Sequence, residues 1–178
     1  FRHRFGLEGR FVVTHAGALG LANDIPPILR AAERLKDHPD VVFLFAGDGK
    51  ERQRLEEQVR ERALKNVAFI GGVAKSGIPE VLAASDVCIA TLKNIPMFRM
   101  TYPNKVFDYM AAGRPVILAI DGVIREVVER ADAGVYVAPG DDIGIAEAVR
   151  LLKSNPAVRQ KMGSQGRAHV ERYFNRSD

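Results

Sequence analysis

Short runs rich in valine, isoleucine and phenylalanine recur along the chain, and stretches with helical spacing separate most of them. The runs are Phe11-Val12-Val13, Val41 to Phe45, Val67 to Ile70, Asp86 to Ala90, Pro115 to Leu118 and Gly134 to Val137. Between them Ile28, Leu29, Ala32 and Leu35, then Leu55, Val59 and Ala63, then Ile124, Val127 and Val128 repeat at the spacing of a helix with one apolar face. Strands apolar on both sides need cover on both faces, which crossover helices supply. The pattern predicts an α/β chain with an open, doubly wound parallel sheet of six strands, 3-2-1-4-5-6 being the leading order. An antiparallel barrel is disfavoured.

Helix boundaries can be read from polar and proline residues. Asp24 is a reasonable N-cap ahead of Pro26-Pro27, which fit an opening turn where missing amide donors cost least. Asp141-Asp142 can cap the helix holding Ile145, Ala148, Leu151 and Leu152, and Pro156 permits a fresh terminal helix over approximately 156–173. The length of 178 residues fits a single domain over 1–178 that buries its own core.

Apolar and charged fractions of 47% and 27% describe a folded globule, and the lone Cys88 excludes an intrachain disulfide. No apolar run approaches the roughly 20 residues that cross a bilayer, and no secretory signal is seen, so a cytoplasmic location is the default. The formal charge of +4 favours anionic partners only weakly. Its basic residues are scattered, and nucleic acid is not an expected partner. The chain opens Phe1-Arg2-His3-Arg4 and stops soon after Tyr173-Phe174. A domain excised from a longer protein would have such ends, as would one trimmed for expression.

The junction Tyr102-Pro103-Asn104-Lys105 is the most informative segment for function. Pro103 fixes the approach to a helix, and Asn104 can cap it with its side-chain carbonyl. First-turn amides would then face outward to receive phosphate oxygens, with Lys105 adding positive charge. The same residues suit an ordinary cap and a solvated lysine. Asp108 lies one turn along the same face, placed either to accept two sugar hydroxyls or to form a surface pair with Lys105. Phe107 and Met110 are core candidates. Arg114 can reach an anion or serve the surface. The turn Gly17-Ala18-Leu19-Gly20 can bring backbone close to a phosphate, but lacks the three-glycine dinucleotide pattern, and Gly47-Asp48-Gly49 is equally ambiguous. No GxxxxGK[ST] loop is present, which argues against a conventional ATPase or GTPase. No closely spaced His/Cys/Asp set suggests a metal.

Taken in order, Ala16 to Gly20, Ala46 to Gly49, Asn66 to Gly71, Ala84 to Val87 and above all Tyr102 to Ile117 resemble the C-terminal donor domain of family 4 retaining GT-B glycosyltransferases, nearest to those building bacterial surface polysaccharide. The resemblance covers nearly the whole chain. It implies a Rossmann-like domain forming one half of a two-domain enzyme whose N-terminal acceptor domain is absent. The substrate it implies is a nucleotide sugar, with UDP-linked donors leading, transferred with retention to an acceptor hydroxyl, and no cofactor. A lipid-linked acceptor would put the whole protein at the cytoplasmic membrane face. Gly17 and the amides near Asn104 would border the donor phosphates, Lys105 would stabilise the leaving diphosphate, Asp108 would hold the ribose, and Gly71 and Val73 would lie beside the base.

Two departures from the family pattern stand out. Of its paired glutamates, the second corresponds to Asp108 and the first to Met100, which brings no carboxylate, so either backbone from Phe98 to Thr101 would contact the transferred sugar instead or the choice of sugar differs. Basic residues near the first helix are replaced by Asn23 and Asp24, which raises the importance of Lys105 and leaves Arg99 and Arg114 in reserve. His15 is read as support for the first strand and turn. The competing readings are an epimerising or hydrolysing nucleotide-sugar enzyme and a noncatalytic nucleotide-binding or interaction module.

Overall fold

The computed structural model describes residues 1–173; Phe174 lies outside the described residues. Its strands are β1 (Phe11–Ala16), β2 (Val41–Ala46), β3 (Val67–Gly71), β4 (Val87–Thr91), β5 (Val116–Ala119) and β6 (Gly134–Tyr136). Every pairing is parallel and the order is β3-β2-β1-β4-β5-β6, as the strand pattern predicts. The helices are α1 (Pro26–Arg34), α2 (Arg52–Glu61), α3 (Ile78–Ala83), α4 (Asn104–Ala111), α5 (Val123–Ala131), α6 (Asp142–Ser154) and α7 (Pro156–Tyr173).

Alternate residues of the central strands feed two separate cores. Phe11, Val13, Phe43, Phe45 and Ile89 pack with Ile28 and Leu29 of α1 and Val149 of α6. Val12, Val42, Leu44, Cys88 and Ala90 face the other way, onto Leu82 of α3, Val106 and Met110 of α4 and Ile124 of α5. Fully burying an aliphatic side chain of this size contributes about 1.5–3 kcal/mol, so the doubly apolar strands hold helices firmly against both faces.

Local signals account for most helix ends. Pro26 and Pro27 occupy the first turn of α1, and the Asp141 carboxylate accepts from the Gly144 amide at 3.0 Å to cap α6. Asp24 does not cap α1: the N-cap position is Ile25, while Asp24 ends a 3-10 turn over Leu21–Asn23 in a left-handed conformation with φ 49°. Helix α7 returns across the sheet to α4 on glycines. A β-carbon on Gly163 would overlap the Gly113 carbonyl oxygen, and one on Gly166 would stand 3.1 Å from the Ala133 β-carbon.

Candidate functional site

From β1 the chain runs outward through β2 to β3, then crosses back to build β4, β5 and β6 on the other side of β1. The sheet therefore has its switch point between β1 and β4, where ligands of open α/β sheets bind beyond the strand carboxyl ends. Pairing between these strands covers only Val13 with Val87 and Thr14 with Cys88. Past that register they diverge, and the Tyr109 hydroxyl fills the gap. It accepts from the Ala16 amide at 3.0 Å, and its proton is directed between the carbonyls of Ile89 at 3.2 Å and Ala16 at 3.3 Å. Burial holds this phenol far above its ordinary pKa, so it remains a donor.

The loops on the β1 side are laced by backbone. The Gly17 amide donates to Ala46 at 3.0 Å, Leu19 to Asp48 at 2.9 Å, Glu51 to Leu19 at 2.9 Å and Gly47 to Gly71 at 2.8 Å. Gly47 must lack a side chain here, because its β-carbon would overlap the Gly17 carbonyl. Gly71 is buried at φ +81°, with the Arg52 guanidinium 3.3 Å from where its β-carbon would stand. Arg52 is in turn held by Asp48 at 3.2 Å and Glu56 at 2.9 Å. Val73, half-buried, packs beside Gly77.

Lys105 enters the switch point from the first turn of α4. Its ammonium donates to Asn23 Oδ1 at 2.7 Å and the Thr91 carbonyl at 3.4 Å, while the Thr91 hydroxyl donates to the Asn23 carbonyl. Burial lowers its pKa from 10.5 to about 8, because a charge removed from water is disfavoured. The Lys105 Cδ and the His15 Cε1 each lie 3.7 Å from the point a β-carbon on Gly17 would occupy. Gly17, His15, Asn23, Thr91 and Lys105 thus converge at one place, with the start of α4 beside it.

Several sequence expectations are corrected in detail. Asn104 does not cap α4; Pro103 holds that position, at φ −63° and ψ 127°, and its carbonyl accepts from Val106 at 3.2 Å, which makes Asn104 the first helical residue. Lys105 does not pair with Asp108, since its ammonium turns inward to Asn23. Asp108 is exposed on the outer flank of α4, where with Asn104, Phe107 and Tyr102 it lines a groove of about 1030 Å³ that reaches Arg130 and His169. Arg114 precedes β5, at the amino-terminal end of that strand, and its guanidinium donates to the Ala83 carbonyl at 3.2 Å.

The segment before α4 forms a 3-10 turn over Pro96–Met100, beyond the carboxyl end of β4 on the Lys105 side. Met100 is 73% exposed, Thr101 donates its hydroxyl to the Met97 carbonyl at 3.2 Å, and Arg99 reaches Asn94 at 3.4 Å. The turn sits on Gly122, whose β-carbon would overlap the Arg99 carbonyl. Sequence reasoning assigned no role to Tyr109, Thr91 or Arg52. A tyrosine one turn after Lys105 on the apolar face was the available signal, because a buried hydroxyl needs partners.

This arrangement defines a Rossmann-like α/β domain with a cationic, glycine-flanked cradle at its switch point. The chain belongs to the family described as glycosyl transferases group 1, whose profile matches residues 2–169. Among curated proteins it is similar to the alpha-D-kanosaminyltransferase of Streptomyces kanamyceticus, with 24% identity over 90% of this chain and 41% of the relative. It is also similar to the lipopolysaccharide core biosynthesis glycosyltransferase LpsD of Rhizobium meliloti, with 28% identity over 88% of this chain and 43% of LpsD. The chain thus spans about two fifths of these relatives.

Among solved structures, Anabaena HepE in complex with UDP superposes with a TM-score of 0.85 at 24% identity, covering 97% of this chain and 47% of HepE. The C-terminal domain of a group 1 glycosyl transferase, LpcC from Francisella tularensis, superposes at 0.81 with 22% identity, covering 98% of this chain and 91% of that one. The fold is that of the C-terminal half of a GT-B glycosyltransferase. No helix of the described residues is long and apolar enough to cross a membrane.

Proposed function

We propose that the chain is the donor-binding domain of a glycosyltransferase that moves a sugar from a nucleoside diphosphate, UDP in the leading reading, to an acceptor hydroxyl with retention. The observation that carries this reading is the convergence of the Lys105 ammonium, the Gly17 turn and the start of α4 at the β1/β4 switch point. A diphosphate placed there meets a helix N-terminus and a cation already desolvated. As the bond to the sugar breaks, negative charge grows on the leaving phosphate. Lys105 is positioned to bear it without reorganisation, the preorganised electrostatics that lower such barriers.

Asp108 accepts the ribose hydroxyls in this scheme, and the Gly71 to Val73 loop meets the base. Met100 and Thr101, on the exposed rim, face the sugar or the acceptor side. The complexes of HepE with UDP and UDP-glucose support the choice of donor. The relative LpsD, with its named role in lipopolysaccharide core synthesis, supports a surface-glycan acceptor. A second domain would carry that acceptor, lipid-linked in this reading and met at the cytoplasmic membrane face; the single domain described here would bind donor far better than it turns over.

Calorimetry against UDP, GDP, ADP, CDP and dTDP, with and without attached sugars, tests the reading. Saturable binding of one diphosphate, weakened by Lys105→Ala with the fold intact, is expected. A folded protein that binds none of them sinks it.

A further inference from the structure

His15 lies one residue before the end of β1, with 1% of its surface exposed. Neither ring nitrogen has a hydrogen-bond partner among the described residues. A contact with its own backbone pulls its pKa up, yet falls short of hydrogen-bond geometry; burial first and the Lys105 charge second hold the pKa well below the ordinary 6.5. The ring is therefore neutral at physiological pH, with one nitrogen a donor and the other an acceptor. Buried polar groups of folded proteins are almost always paired, and an exception calls for a functional account.

The direction of the ring supplies that account. Cε1 is the carbon between the two nitrogens, and it stands 3.7 Å from the point a β-carbon on Gly17 would occupy. The nitrogen-bearing end of the imidazole thus lies against the Gly17 turn, while the ring is tilted on that of Phe45, centroid to centroid 5.9 Å. Across the same point stands the Lys105 stem, also at 3.7 Å. An apolar residue would pack against Phe45 equally well at no polar cost, so packing alone does not explain an imidazole.

We propose that His15 is a binding residue for the donor's diphosphate, giving its ring N–H to a phosphate oxygen held between the Gly17 turn and Lys105. The inference rests on the donor-domain reading above and adds a contact from beneath the turn. A ring that stays neutral supplies a directed hydrogen bond without adding a second charge next to Lys105, whose repulsion would oppose protonation of both.

The test compares wild type, His15→Phe and His15→Gln by calorimetry, using whichever of the five nucleoside diphosphates binds most tightly and its parent nucleoside. His15→Phe is expected to lose about tenfold in diphosphate affinity, the size of one hydrogen bond to a charged group, and to keep its nucleoside affinity. His15→Gln, which retains a donor, is expected to recover most of the loss. Diphosphate affinity unchanged in His15→Phe, or equal losses for nucleoside and diphosphate, overturns the proposal and leaves the donor reading standing. A wild-type protein that binds no diphosphate removes both. Imidazole ¹⁵N resonances of the wild type give a check that requires no variant. Those of His15 should move on adding the diphosphate and stay in place with the nucleoside, and stationary resonances in both cases refute the contact.

Discussion

Replacing Lys105 with methionine should make the empty domain more stable and the donor site weaker. Lys105 carries its charge into a largely buried position, and its pKa falls from 10.5 to about 8. A depressed lysine means that the unfolded chain binds the proton more tightly than the folded one, so stability is lower at low pH and rises as pH climbs from about 8 toward the unfolded value. The gap corresponds to about 3 kcal/mol of charge burial at pH 7, of which about 2 kcal/mol is relieved by pH 9.5. Methionine retains the stem and removes the charge, at the loss of the bond to Asn23. Lys105→Met should therefore gain about 1–3 kcal/mol at pH 7, and the gain should shrink by about 2 kcal/mol at pH 9.5. Urea unfolding of both proteins across that range measures it, the subtraction cancelling other titrating groups. Diphosphate affinity should fall by about 10- to 150-fold, the loss of one charged hydrogen-bonded contact. Wild-type affinity should itself decline as pH rises through about 8, since bound phosphate favours the ammonium, while the variant stays flat. A variant destabilised at pH 7, with a stability difference independent of pH, would refute a desolvated Lys105.

Three further outcomes are expected. Tyr109→Phe leaves the buried Ala16 amide without its acceptor and should cost about 1–3 kcal/mol, read as a fall in Tm with little change in secondary structure; an unchanged Tm would show that the seam needs no hydroxyl. Asp108→Ala should abolish the preference for UDP over 2′-deoxy-UDP without lowering stability, and a preference that survives would take the ribose away from Asp108. Gly163→Ala has a sign that separates two forces: helix propensity alone gives a gain of about 1 kcal/mol, whereas the overlap with the Gly113 carbonyl predicts a net loss and earlier proteolysis within α7.

The parallel, doubly covered sheet was legible because the central strands are apolar on both faces, as the split of Val12 and Val13 into opposite cores records, whereas the strand order followed from the doubly wound class and not from any residue. The caps at Asn104 and Asp24 were misread for one reason: a residue with a capping side chain stood beside a residue whose backbone took the position, Pro103 in one case and Ile25 in the other. Spacing placed Lys105 and Asp108 one turn apart correctly, yet the partner that Lys105 takes lies 82 residues earlier, and local periodicity carries no trace of it. Arg114 looked close to the site because it follows α4 in sequence. An eight-residue helix carries the chain about 12 Å, enough to return it to the amino-terminal ends of the strands.

The Tyr109 hydroxyl makes the aim of α4 a property of the interior. One oxygen ties that helix to β1 and β4 where they part, so the direction in which Lys105 points is set beneath the surface. The rim turn Pro96–Met100 takes no part in that bracing. If the proposed donor site is correct, substitutions in that turn, including at Met100, would alter which sugar is accepted while leaving the Lys105 geometry at the strand junction unchanged.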